Sequence, residues 1–128
     1  LGYPLAHFPT PPAGPELARE LDLLPGMLRF PREYQLGIAQ NYAGALDDLP
    51  AEIAPGNHDV AGLPEAWIAP DEYDDLRPSS DLLAEQLTKA GVPVHVELAE
   101  GMVHGHLGRA PSLEPVSATL DFFATAPR

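Results

Sequence analysis

The chain has 128 residues, enough for one domain or part of one. It carries 19 acidic residues against seven Lys and Arg, a net charge of −12, so it lacks the clustered basic side chains that nucleic acids and anionic membrane surfaces select. It has no cysteine, which excludes disulfides, thiolate metal sites and a cysteine nucleophile.

Hydrophobic residues make up 45% of the chain, enough for a buried core. No apolar run approaches the ~20 residues of a membrane span. The opening LGYPLAHFPTPP has no basic segment of the kind that starts a signal peptide, and a cytoplasmic location is the expectation. The opening also lacks an initiator Met and enters directly into something strand-like. That reads as a chain cut out of a longer one.

Leu1 to Ala6 can form a short apolar strand, with Pro4 unsuited to a central position. Four prolines between His7 and Pro15 demand an extended loop. Pro15 suits the first position of a helix through Leu24, with Leu17, Leu21 and Leu24 as its apolar stripe. A second helix starts near Pro31 and stops at Gly44, with Tyr34, Ile38 and Tyr42 four apart on one face. Ala45 to Pro64 reads as a loop rich in Pro, Gly and Asp.

From Trp67 to His106 the pattern is strand, helix, strand, roughly the length of a βαβ unit. Ala66 to Ala69 is continuously apolar, as expected of a covered parallel strand, and Trp67 reads as core. Asp71, Glu72, Asp74 and Asp75 follow as an acidic turn. A helix near 78–90 buries Leu83, Leu87 and Ala90 and closes at Gly91. Val92, Val94, Val96 and Leu98 alternate with polar residues and Pro93, which fits a strand near a sheet edge. A last helix near 114–125 turns Val116, Leu120 and Phe123 inward. The sum is an α/β fold with about three parallel strands, near 1–5, 65–70 and 93–98, and flanking helices.

Two parallel strands joined by a right-handed crossover place their C-terminal turns on one rim, where open α/β sheets hold ligands. One turn carries Asp74 and the other His104, thirty residues later. A carboxylate that orients an imidazole is two thirds of a nucleophile triad. Asp75 is the fallback for the carboxylate. His104 with His106, or His58 with Asp59, also has zinc-ligand chemistry. The glycines around the first pair suggest a turn instead, and no metal or cofactor is expected.

The stretch GLPEAWIAPDEYDDLR through LLAEQLTKAGVPVHVELAEGMVHGHL resembles the C-terminal part of hormone-sensitive-lipase-like carboxylesterases. That family carries a D-P-L-R-D-like turn, a helix ending A-G-V-P-V, and G-M-x-H-G-F. The resemblance gives Asp74 and His104 the triad acid and base roles. Asp75 departs from the family's Pro, Pro78 from its second Asp, Ala54 from a Ser, and His106 from its Phe. None of the four serines, Ser79, Ser80, Ser112 and Ser117, lies in G-x-S-x-G, and no H-G-G-G-like stretch is present.

The resemblance therefore implies that residues 1–128 are the C-terminal portion of an α/β-hydrolase domain whose nucleophile lies elsewhere. The implied function is serine carboxylesterase chemistry on a small ester. The implied partner is the N-terminal half of the same enzyme, or a self-associating copy. The alternative is a non-catalytic α/β-hydrolase-like binding module.

Overall fold

The computed structural model describes residues 1–44 and 48–127. Four helices appear among them: α1 (Pro15–Leu21), α2 (Arg32–Ala43), α3 (Arg77–Lys89) and α4 (Glu114–Ala124). The strands are β1 (Ala66–Ile68), β2 (Asp71–Tyr73), β3 (Val94–Val96) and β4 (Ala99–Val103). β1 pairs with β3 and β2 with β4, both in parallel.

The two ladders are one strand pair with an interruption. Ala66 faces Val94 and Ile68 faces Val96 in the first ladder, and Asp71 faces Ala99 in the second. Between them Glu97 N donates to Ile68 O at 3.0 Å and Ala99 N to Pro70 O at 2.9 Å. Pro70 has no N–H to return, so regular pairing lapses there and resumes one residue later. The strands expected at 65–70 and 93–98 thus run on to Tyr73 and Val103. Asp71 and Glu72, read as part of an acidic turn, lie in a strand instead.

The expected strand at 1–5 shrinks to a single parallel bridge between Gly2 and Ala69. Ala69 N donates to Leu1 O at 2.9 Å, and Tyr3 N donates to Ala69 O at 2.7 Å. Tyr3 then sits at φ +35°, and Pro4 offers no amide, so the ladder cannot continue.

A buried polar network replaces it as the anchor of this segment. The amides of Ala6 and His7 both donate to Ser79 Oγ on α3, at 2.9 and 3.0 Å. With Oγ accepting twice, its proton points to His7 Nδ1, 3.0 Å away. His7 Nε2–H then donates to Gln86 Oε1 at 2.9 Å, and Gln86 Nε2 to Gly56 O at 2.9 Å. Every member is satisfied, which is the condition for a polar network to stabilise a core.

Around it, Ala6, Val60, Ile68, Leu83, Leu87 and Val92 form one apolar cluster, and Phe8, Ala39, Leu49 and Ala54 a second. Full burial of a side chain such as Leu83 or Leu87 contributes about 1.5–3 kcal/mol.

Several expected faces are turned. In α2 the Tyr34, Ile38 and Tyr42 face is exposed, and Gln35 and Ala39 are buried. Gln35 is drawn inward by polar bonds, its amide donating to Phe30 O at 2.7 Å and its carbonyl accepting from Thr10. Gly44 caps α2 at φ +71° as expected. α1 ends at Leu21, before the expected Leu24, as the chain turns through Leu23 and Leu24 toward Pro25. Ala90 lies just beyond α3 and is exposed. In α4, Leu120 faces outward and Thr119 is buried in its place. Trp67 is half-buried, stacked on His95 at 4.4 Å.

Of the expected 45–64 loop, residues 45–47 lie outside the described residues. The rest contains one 3-10 turn, Pro55–Asn57. No helix among the described residues is long and apolar enough to cross a membrane.

Candidate active site

Asp74 is the first residue after β2, and His104 the first after β4. Because β2 and β4 are parallel neighbours, both side chains leave the sheet at the same rim. There His104 Nδ1 donates to Asp74 Oδ2 at 2.8 Å. The other carboxylate oxygen of Asp74 accepts from Leu76 N at 2.9 Å. This is a short side-chain-to-backbone turn of the kind Asp favours. Asp74 is 1% exposed, so its carboxylate is held from both sides with little freedom to turn.

The His104 ring is boxed by aromatic groups. Phe30 stacks on it at 5.3 Å, and Tyr3 meets it edge-on at 4.9 Å. The hydrogen bond to Asp74 raises the His104 pKa above its usual 6.5, burial opposes that, and the Asp74 and Asp71 charges add to it. Burial, with the charges of Asp71 and Asp74, pushes the Tyr3 phenol up as well.

Asp75, the fallback carboxylate, has a different partner. It accepts from Arg29 Nε at 3.0 Å and Arg29 Nη2 at 2.9 Å, and from Phe30 N at 2.6 Å. A two-pronged Arg–carboxylate pair is geometrically demanding. It ties the Arg29–Phe30 segment to the rim and so sets the ring that covers His104.

His106 does not join His104 as a ligand pair. It is fully buried, its Nδ1 bonded to Asp71 Oδ1 and its Nε2 2.9 Å from Thr119 Oγ1 of α4. Burial raises the Asp71 pKa, against the opposing pull of His106. His58 Nε2 is bonded to Leu49 O at 2.7 Å, and Asp59 Oδ1 accepts from Ala61 N at 2.9 Å, so that pair is engaged in loop structure. Among the described residues, the group with metal-ligand chemistry in reach of one another is Asp71, Asp74 and His104, whose ligand-type atoms lie within 4.8 Å.

Ser79 and Ser80 are buried, and Ser117 Oγ is bonded to Glu114 O. No serine hydroxyl is bonded to His104 among the described residues.

Sequence reasoning missed Asp71, Tyr3, Phe30, Arg29 and Thr119 as parts of this rim. One signal was present: a histidine at position 106, where the resembled family carries Phe, demands a buried polar partner.

A family model described as alpha/beta hydrolase fold matches residues 3–108. The chain is similar to carboxylesterase NlhH of Mycobacterium tuberculosis, 47% identical over 62 residues that cover 48% of this chain and 19% of the relative. It is also similar to esterase LipI of Mycobacterium tuberculosis, 46% identical over 72 residues, 54% of this chain and 22% of the relative. Among solved structures, DphMB1 superposes with a TM-score of 0.76 at 29% identity, over 97% of this chain and 41% of that one. EstE1, a thermostable carboxylesterase from a metagenomic library, superposes with a TM-score of 0.75 at 23% identity, over 99% and 45%. The matches span about a fifth of the two curated relatives and less than half of each solved chain. With the family match running over most of its length, the chain belongs to the alpha/beta hydrolase fold family, in the hormone-sensitive-lipase-like group that its sequence resembles.

Proposed function

We propose that the protein is a carboxylic-ester hydrolase that works by a Ser-His-Asp mechanism, with Asp74 and His104 as acid and base. The nucleophilic serine and the oxyanion hole lie on a segment outside residues 1–128. The observation that carries this reading is the 2.8 Å bond from His104 Nδ1 to the buried Asp74 carboxylate at the rim of a parallel strand pair. The similarity to NlhH, a carboxylesterase, and LipI, an esterase, supports the substrate class.

The chemistry follows from the tautomer. With Nδ1–H given to Asp74, the Nε2 lone pair of His104 accepts the serine proton as the serine oxygen attacks the acyl carbon. The imidazolium that forms is stabilised by the Asp74 carboxylate. Its proton passes to the departing alkoxide, leaving an acyl-serine ester. Water then gives a proton to Nε2 and attacks the same carbon, and the proton returns to the serine as the acid leaves. Phe30 and Tyr3, packed on the imidazole, restrict water around the ion pair and strengthen it.

The partner in this reading is the nucleophile-bearing half of the same enzyme or, failing that, a second copy of this chain. A p-nitrophenyl butyrate assay tests the reading. The intact enzyme turns over, His104→Ala abolishes turnover while the circular dichroism spectrum is retained, and residues 1–128 alone stay at background. Full activity in His104→Ala would remove His104 as the base. An intact protein with no esterase activity, yet correctly folded, would favour the binding-module alternative.

A further inference from the structure

We propose that the buried Asp71–His106 pair is the positioning assembly of His104: it locks the loop that carries the base and sets a second carboxylate beside the imidazole. The proposal rests on the reading of His104 as a general base.

The geometry has three parts. First, His104 and His106 flank Gly105, which sits at φ +85°, a conformation that favours glycine. Second, both nitrogens of His106 are held, one by Asp71 on β2 and the other by Thr119 on α4. The ring therefore bolts the His104 loop to the strand below it and the helix behind it. Third, an Asp71 oxygen lies within 4.8 Å of both a His104 nitrogen and an Asp74 oxygen. Asp71 Oδ2 is buried without a hydrogen-bond partner. An unsatisfied buried carboxylate oxygen is costly. It is tolerated where nearby positive charge stabilises it, and His104 becomes positive in each half of the proposed cycle.

The titratable groups around His104 are Asp74 from the turn after β2, Asp71 from β2, and Tyr3 from the opening segment, with the Asp75–Arg29 pair behind Phe30. His106 and Thr119 face Asp71 from the other side. Two carboxylates thus meet one imidazole, and the Asp71 charge favours the imidazolium. Asp71 and His106 touch no reacting atom. They act through His104.

Removing the Asp71 charge lowers the His104 pKa, so the acid limb of the kcat/KM profile moves to lower pH. The base is then weaker and less well held, and plateau kcat falls by about ten- to hundredfold, with KM unchanged. Two variants of the intact enzyme are compared: Asp71→Asn, and the double change Asp71→Ala with His106→Phe. The double change removes the charge and its partner together and keeps the site filled, so it is expected to fold where the single change fails.

His104 is titrated by NMR of ring-labelled histidine in each. An acid-shifted His104 titration and pH limb in either folded variant supports the proposal. Wild-type titration and wild-type kcat in the double variant overturn it, because the pair would then only fill space. Loss of activity with an unmoved His104 titration overturns the electrostatic half. Failure of the underlying reading is separate: His104→Ala would be active whatever residue stands at 71.

Discussion

Ser79→Ala tests whether the N-terminal segment is held by polar bonds or by packing. Ser79 Oγ accepts from the amides of Ala6 and His7, and Ser79 is fully buried. Removing the hydroxyl strands both amides away from water and deprives His7 Nδ1 of its donor. Each orphaned buried amide costs about 1–3 kcal/mol, so the loss is about 2–6 kcal/mol, a large fraction of the ~5–15 kcal/mol that holds a domain folded. For residues 1–128 unfolding by themselves that corresponds to a fall of roughly 10–25 °C in Tm. Urea unfolding followed by the fluorescence of Trp67, the single tryptophan, reads the change. Ser80→Ala is the control. Its hydroxyl makes one long contact, 3.4 Å to Pro4 O, and the loss should stay within about 1 kcal/mol. If Ser79→Ala cost no more than Ser80→Ala, the network would be ornamental and apolar packing alone would hold the segment.

Gly56→Ala probes the same region by bulk: a Cβ there would lie 2.3 Å from the ring of His7. With both ring nitrogens bonded the ring cannot give way, and the change should cost about 3 kcal/mol in a chemical denaturation curve. Asp74→Asn in the intact enzyme should lower kcat by about 10³–10⁴-fold and move any residual pH limb to lower pH, since the bond that raises the His104 pKa is gone. The same shift links pH to stability. A pKa raised on folding means that the His104–Asp74 bond stabilises the fold fully below 6.5 and that the gain is lost as pH rises through the folded value. Urea midpoints of wild type and His104→Ala should therefore converge on going from mildly acidic to mildly alkaline buffer. Arg29→Ala releases Asp75 and the Phe30 segment. It should lower kcat about threefold while the backbone circular dichroism is unchanged; an unaltered kcat would mean that Phe30 keeps its place without the ion pair.

What could be read from the residues was the rim, because it depends on spacing. Asp74 and His104 each lie a few residues beyond an apolar strand pattern, at 66–69 and 92–98, and the helix between them fixes which ends coincide. Strand extent was not legible. Pro70 breaks the ladder, and Asp71 looks like one more turn carboxylate until His106 is found beneath it. The second is a long-range fact, since Asp71 and His106 lie 35 residues apart in the chain and meet once β2 and β4 pair. The face of α2 was misjudged for a related reason. Tyr34, Ile38 and Tyr42 have the correct period, but so do Gln35 and Ala39, and the choice falls to Thr10 and Phe30, which satisfy Gln35. Leu120 yields to Thr119 because a hydroxyl is what His106 requires at that depth.

The bonds from the opening segment to Ala69 and Ser79 also order events at the ribosome. Leu1 to His7 are made well before Ala69 and Ser79, which hold them in the folded chain. At a translation rate of about 5–20 residues per second, they wait several seconds for those partners. During that interval neither attachment can protect the segment. Protection of the segment in stalled nascent chains should appear only once α3 has cleared the exit tunnel, and earlier protection would point to a different docking site during synthesis.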